Sequence, residues 1–393
     1  MGTMAKTAKS KRINKVNFLP TAPPPVSPEI TDKDRDYFDK VVTTDLNSEQ
    51  IERILTVKQS YPLEDSVMAV HWHPEHIPLD LISKRIDKTF PNRKTELIIP
   101  TQHNVIMDYN GYSGVEVDCY SGGFNQKVQL LLHFETPKVE KADTLKKMLA
   151  HTFKYRSSQL FEFIRTITDP VEDRIERAAR ETGANSSLVD FVCVYVTKIK
   201  MMLEEDFDQI PLLSIKNKLL RNFFDCLRSD FDDMLIDQAQ NYLTAVKKTV
   251  KEEFPLQYFY RTSEVIEEAR AVGAGIVIPH PEQFWPVLLA DYDVDGIEVW
   301  NPQSQRYTDF LVSIINKKNR SAAGKGREIL VFMGDDTHFG EKIKDPEQQK
   351  EAKASREVGV QPFWSDLSIQ KNLIRGNFCK DRVIEEYKAR LAG

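Results

Sequence analysis

The chain of 393 residues lacks any apolar run near the roughly 18 residues that a membrane span needs, so no span is expected. It lacks a strong charge of either sign. A net charge of −5 and a pI near 6.0 give no global attraction to nucleic acid or to an anionic membrane. It has only four cysteines, Cys119, Cys193, Cys226 and Cys379, widely spaced and without a CxxC pair. That spacing argues for a reducing, cytoplasmic setting over a disulfide framework. The first residues, MGTMAKTAKSKRINKVNF, are basic but carry no apolar core, so a secretory signal is not expected. With 41% hydrophobic and 29% charged residues, what remains is an ordinary soluble composition.

Histidine is also scarce, yet its placement is informative. Seven of the eight histidines, His71, His73, His76, His103, His133, His280 and His338, follow or end short apolar runs. Only His151 falls in a charged helical stretch. The runs are Val67–Val70 before His71, Leu97–Ile99 before His103, Leu130–Leu132 before His133, Ile276–Ile278 before His280, and Ile329–Phe332 before Asp335, Asp336 and His338. Gly296–Val299, carrying Glu298, is another such strand, and Val358–Val360 reads as a last one. Continuous apolar runs bounded by turn residues suit a mostly parallel sheet covered on both faces. Ligand-type residues at many strand ends suit a barrel, which places its chemistry at that face. The fold expected is α/β, a distorted (β/α)7 TIM-like barrel with a large α-helical insertion.

Residues 1–28 read as a basic, proline-rich tail that cannot order itself, or as an arm that touches a partner or nucleic acid. Residues 29–138 then form the first part of the barrel with a helical lead-in, 139–255 the helical insertion, and 256–393 the second part. Within the insertion, Asp169-Pro170-Val171-Glu172 has the form of a capped helix start and Gly183 that of a stop. Leu220, Phe223, Phe224, Leu227, Phe231, Met234 and Leu235 recur as an amphipathic stripe, expected to pack inside a bundle.

His71 and His73, two apart on an extended chain, point the same way and can reach one ion. Asp336 and His338 repeat that spacing. Glu116, in the run Gly114-Val115-Glu116-Val117, is a carboxylate in an apolar strand, where burial demands a pair or a metal. Each of these residues alone could be structural. Together with His76, His103, His133 and His280 they make nine candidate ligands, too many for one tetrahedral ion and suited to two or three. Glu298 could orient a ligand or pair with a base.

The order H-x-H, His, G-V-E, His, H-P and G-D-D-x-H resembles the polymerase and histidinol phosphatase (PHP) family, over roughly residues 67–339. The resemblance implies a distorted seven-stranded barrel binding up to three metal ions. His71, His73, Glu116 and Asp336 would hold one ion. Glu116, His133 and His280 would hold a second, and His76, His103 and His338 a third. His76 stands closer to His73 than the family pattern has it, and Gln102 stands where that pattern has Asp. The implied activity is phosphoester hydrolysis with Mn, Fe or Zn ions activating water, with His73, Asp336 and His338 as the catalytic residues. The implied substrate is a phosphorylated small molecule or a nucleic-acid 3′ end. Lys342 and Arg93 are candidate phosphate contacts, and Tyr109 and Tyr112 candidate mouth residues. Two other readings stay open: an amidohydrolase-type C–N hydrolase, and a non-catalytic module that keeps metal for stability.

Overall fold

The computed structural model describes residues 23–321 and 326–393. Most of the expected basic arm, from Lys6 to Lys15, lies outside them. Among the described residues no helix is long and apolar enough to cross a membrane.

Ten strands carry the α/β unit: β1 (Ser66–Ala69), β2 (Trp72–His73), β3 (Thr95–Ile98), β4 (Met107–Tyr109), β5 (Tyr112–Ser121), β6 (Gln126–Glu135), β7 (Gly275–Ile278), β8 (Gly296–Trp300), β9 (Leu330–Met333) and β10 (Thr337–His338). They group into three sheets: β1 with β3, β2 with β10, and six strands in the order β4-β5-β6-β7-β8-β9. These sheets do not form a closed barrel. Short backbone links run between them. Asp336 N–H donates to His71 O at 2.9 Å, and Thr101 N–H to Trp72 O at 2.8 Å. An isolated parallel bridge joins His103 to Glu116.

The large sheet is mixed, not mostly parallel. The β4–β5, β5–β6 and β6–β7 pairs are antiparallel, and only β7–β8 and β8–β9 are parallel. Strands β5 and β6 are joined by four residues, a connection that only an antiparallel pair permits. Near-continuous burial along β5 looks the same in sequence whichever way its neighbour runs. Val358–Val360 forms no strand. Gly359 sits at φ +81, and its N–H donates to Asp335 Oδ2 at 2.9 Å. A Cβ there would come within 2.6 Å of Val67 Cγ1, so the turn and the close approach both require glycine.

The chain divides into two compact units. One comprises 42–160, 210–216 and 253–393 and holds all ten strands. Its core runs through Val70, Val115, Leu132, Ile276, Val299, Phe332 and Tyr387. The other comprises, of the described residues, 23–41, 161–209 and 217–252, and is helical. There Phe191, Tyr195 and Phe224 interlock edge to face, and Phe223 lies tilted against Tyr195. The expected stripe is split between the helices Lys218–Cys226 and Asp233–Glu253. Leu220, Phe223, Phe224, Leu227 and Leu235 are buried, whereas Met234 is exposed. Gly183 ends the helix Glu172–Thr182 at φ +71, as its position suggests, but the N-cap is Val171 and no side chain caps it. Asp169 instead closes the preceding turn, its N–H donating to Arg165 O.

Candidate metal centre

Each candidate ligand is set by a strand or by the turn that follows one. His71 leaves β1, and β2 presents His73 two residues on. Glu116 lies mid-strand on β5, His280 follows β7, and Asp336 and His338 follow β9. The backbone is strained at this end. Glu75, Asn104, His280 and Asp336 all take positive φ, at 55°, 55°, 27° and 46°. Such conformations cost energy in residues with side chains and gather at functional sites.

The side chains converge on Glu116 and Asp336. Glu116 Oε1 is 3.8 Å from His71 Nε2 and 3.4 Å from His280 Nε2. Its Oε2 is 3.6 Å from His73 Nε2 and 2.6 Å from His103 Nδ1. Asp336 Oδ1 is 3.7 Å from His71 Nε2, 3.5 Å from His73 Nε2 and 3.3 Å from His338 Nε2. Most of these gaps are too long for good hydrogen bonds. At 3.3–3.8 Å they lie at or slightly above the edge between two ligands of one ion, about 3.0–3.5 Å for bonds of about 2.1 Å. Three groups could each hold an ion: His71 with His73 and Asp336, His71 with Glu116 and His280, and His73 with His103 and His338.

The buried atoms support the same assignment. His71 Nε2, both ring nitrogens of His73, both oxygens of Glu116 and His280 Nδ1 are buried without an aligned hydrogen-bond partner. Each such atom costs about 1–3 kcal/mol if nothing satisfies it. Several unsatisfied atoms facing one another fit divalent cations, and the imidazole and carboxylate donors fit Mn, Fe or Zn.

The carboxylates of the cluster are held ionised, while its imidazoles are shifted in both directions, with His280 and His338, despite burial, raised by the neighbouring carboxylates. Burial raises the Glu116 and Asp336 carboxyls, but the surrounding imidazoles outweigh it and hold both well below the usual carboxylate range. Burial, with His338 and His103 alongside, pulls His73 down to about 3, so its ring is neutral and keeps a lone pair to donate. Burial also lowers His71, yet Glu298, Asp336 and Glu116 carry it up to about 10.

Glu298 explains the last value. Its Oε1 accepts from His71 Nδ1 at 2.9 Å and its Oε2 from the His280 N–H at 2.6 Å. It therefore turns the His71 ring so that Nε2 faces Glu116, and pins the backbone at His280, the orienting role open to it in the sequence. Gly334 makes room for it, since a Cβ there would lie 1.2 Å from Glu298 Oε1. Asp336 Oδ2 is held away from the cluster by Arg356 Nη1 at 2.7 Å and Gln303 Nε2 at 2.8 Å.

Seven of the nine expected ligands meet here. His133 does not. Its Nε2 donates to Val70 O at 2.9 Å and its Nδ1 accepts from the Tyr387 hydroxyl at 2.7 Å. Both nitrogens are spent on the protein, so the sequence expectation of a His133 ligand is corrected. His76 joins none of the three groups. The neighbouring Glu75 takes part instead, accepting from His338 Nδ1 at 3.2 Å. Gln102 has a clear task, its Oε1 accepting from the Glu75 N–H at 3.1 Å.

The two suggested phosphate contacts are corrected as well. Lys342 is buried and donates to Ala354 O, Arg356 O and Glu357. Arg93 is tied to Glu96 and Asp87. Tyr109 is buried, its hydroxyl donating to Ser83. Gln303 and Arg356 escaped the sequence reading because neither belongs to a His, Glu or Asp motif at a strand end, and Glu75 because it stands between two histidines that drew the ligand assignment.

No family model matches this chain, and no curated protein matches it. Among solved structures, a protein of Bifidobacterium adolescentis, provisionally named a metal-dependent phosphoesterase and known from a 2.40 Å crystal structure, aligns with 16% identity and a TM-score of 0.37. The alignment covers 80% of this chain and 97% of that one.

Proposed function

We propose that the chain is a metal-dependent phosphoesterase of the PHP type, hydrolysing a phosphate ester at a centre of two or three divalent ions, Mn, Fe or Zn. The observation that carries this is the convergence of His71, His73, His103, Glu116, His280, Asp336 and His338 with unsatisfied atoms facing one another. Clustered divalent ions, when bound, supply water acidified to the neutral range and positive charge for phosphoryl oxygens.

The residues do the rest. Glu116 presents one oxygen to each of two imidazole pairs and so ties neighbouring positions together. Glu298 fixes His71 and His280. Arg356 and Gln303 fix Asp336 so that only Oδ1 faces inward. His103 and His338 are the most exposed members, at 30% and 17%, and mark the side from which a substrate enters. The distorted (β/α)7 barrel belongs to the same proposal. It is supported by the backbone links between the three sheets and by ligands at successive strand ends. A phosphorylated small molecule or a nucleic-acid 3′ end as substrate, and a cytoplasmic setting, are also part of it.

The test is a panel of nucleotides, sugar phosphates, nitrophenyl phosphate and single-stranded DNA, assayed with Mn-repleted protein. Release of phosphate or nucleotide from at least one class is expected. A protein that holds metal but cleaves none of them would instead be the metal-stabilised module.

A further inference from the structure

The cluster is open on the side of His103 and His338, and two further carboxylates flank that opening. Glu75 contacts His338 at 3.2 Å. Asp118 is locked to Asn104, the residue after His103, by Asn104 Nδ2 to Asp118 Oδ2 and by the Asp118 N–H to Asn104 Oδ1, both at 3.0 Å. An anionic substrate approaching here meets negative charge unless cations offset it.

Three cations stand near, and two are committed. Arg356 is spent on Asp336, bonding both its backbone oxygen and Oδ2. Lys127 Nζ lies 2.5 Å from Asp118 Oδ1 and stands over the Tyr155 and Phe259 rings. Arg156 is different. It lies on the helix Tyr155–Thr168, with its guanidinium 5.8 Å from the centre of the Phe153 ring. Its Nη1 is buried and finds no hydrogen-bond partner among the described residues. Burial pushes this guanidinium below its ordinary range, while the charges of Glu75 and Asp118 pull it back up. Tyr155, the residue before it, packs under the Lys127 ammonium that bonds Asp118, so the start of this helix is set against the Asp118 side of the opening.

A buried guanidinium N–H without a partner is costly, and the cost is recovered when an anion accepts from it. Arginine's planar fork suits phosphate oxygens, which can take two of its N–H groups at once.

We propose that Arg156 binds the phosphoryl oxygens of the substrate at the His103–His338 side of the cluster. The proposal rests on the phosphoesterase reading and assigns to this residue a role that no sequence motif pointed to.

The experiment measures inorganic phosphate binding by calorimetry to the Mn-loaded full chain, as wild type, Arg156→Gln and Arg156→Lys. Removing a charge-assisted contact is expected to weaken phosphate binding about 10- to 100-fold in Arg156→Gln. Metal content and thermal midpoint should stay those of wild type, which a merely structural arginine would not allow. Arg156→Lys keeps the charge but not the fork and should fall between the two. If Arg156→Gln fails to fold, Arg156→Lys decides alone, and its loss of several-fold in affinity is the expected result. Phosphate binding unchanged by substitution, or absent from metal-loaded wild type, overturns the proposal. Failure of the phosphoesterase reading shows elsewhere, as metal-loaded wild type that cleaves no phosphoester.

Discussion

Two buried polar clusters lie in the strand-bearing unit, and they are built on opposite principles. In one, Arg85, Lys342 and Glu357 satisfy each other. Arg85 Nε and Nη2 reach Glu357 at 2.7 and 2.5 Å, and its Nη1 donates to Arg53 O, Ile54 O and Thr56 O. Lys342 spends its ammonium on two carbonyls and the same carboxylate. In the other cluster, His71, His73, Glu116 and His280 are as deeply buried but leave nitrogens and oxygens unmatched. Burial alone does not separate structure from function here. What separates them is whether the polar atoms are answered by the protein.

That contrast predicts opposite failures. His73→Ala removes a ligand atom shared by two of the three groups. At about 1.4 kcal/mol per tenfold, the loss of several kcal/mol of charge stabilisation corresponds to about a thousandfold or more in kcat/KM for any phosphoester the wild type cleaves. The metal-free protein should unfold at much the same denaturant midpoint as metal-free wild type. Glu357→Leu should do the reverse. It strands Arg85 and Lys342 without a countercharge and should cost about 3 kcal/mol or more of stability by denaturant titration. Its metal content should be that of wild type. A Glu357 variant that loses metal, or a His73 variant that loses most of its stability without metal, would erase the distinction.

Glu298→Gln gives the finest cut. Glutamine keeps the size but not the charge that orients His71 and takes the His280 N–H. Loss of a ligand-orienting carboxylate should weaken metal binding by about 10- to 100-fold. Equal affinity in the variant would show that the Glu298 charge does not position His71 or the backbone at His280.

The sequence carried the site better than the fold around it. Two imidazoles at i and i+2 on an extended chain point the same way, and His71 and His73 both face Glu116 and Asp336. Glu116 was visible because a carboxylate in Gly-Val-Glu-Val must be answered by something. His133 looked identical to those residues from sequence, a histidine ending an apolar run. Its fate depends on Tyr387, more than 250 residues away, and on the carbonyl of Val70. No local pattern encodes such partners. Arg356 was hidden because it bonds Asp336 from another segment, and Arg156 because the charges that act on it, Glu75 and Asp118, also belong to other segments. The antiparallel pairing of β5 with its neighbours was also not legible, because strands buried on both faces carry no alternation to mark direction. Val358–Val360 misled because Gly359 bends backward at positive φ in the middle of an apolar triplet.

The unanswered atoms around Glu116 and Asp336 are the proposed metal ligands. Elemental analysis of the full chain after Mn repletion and gel filtration tests that most directly, run on wild type beside His73→Ala. Two or three equivalents of divalent metal per wild-type chain, with a clear loss in the variant, is the predicted result. A wild-type chain that retains no metal, or a variant that retains as much, would contradict it.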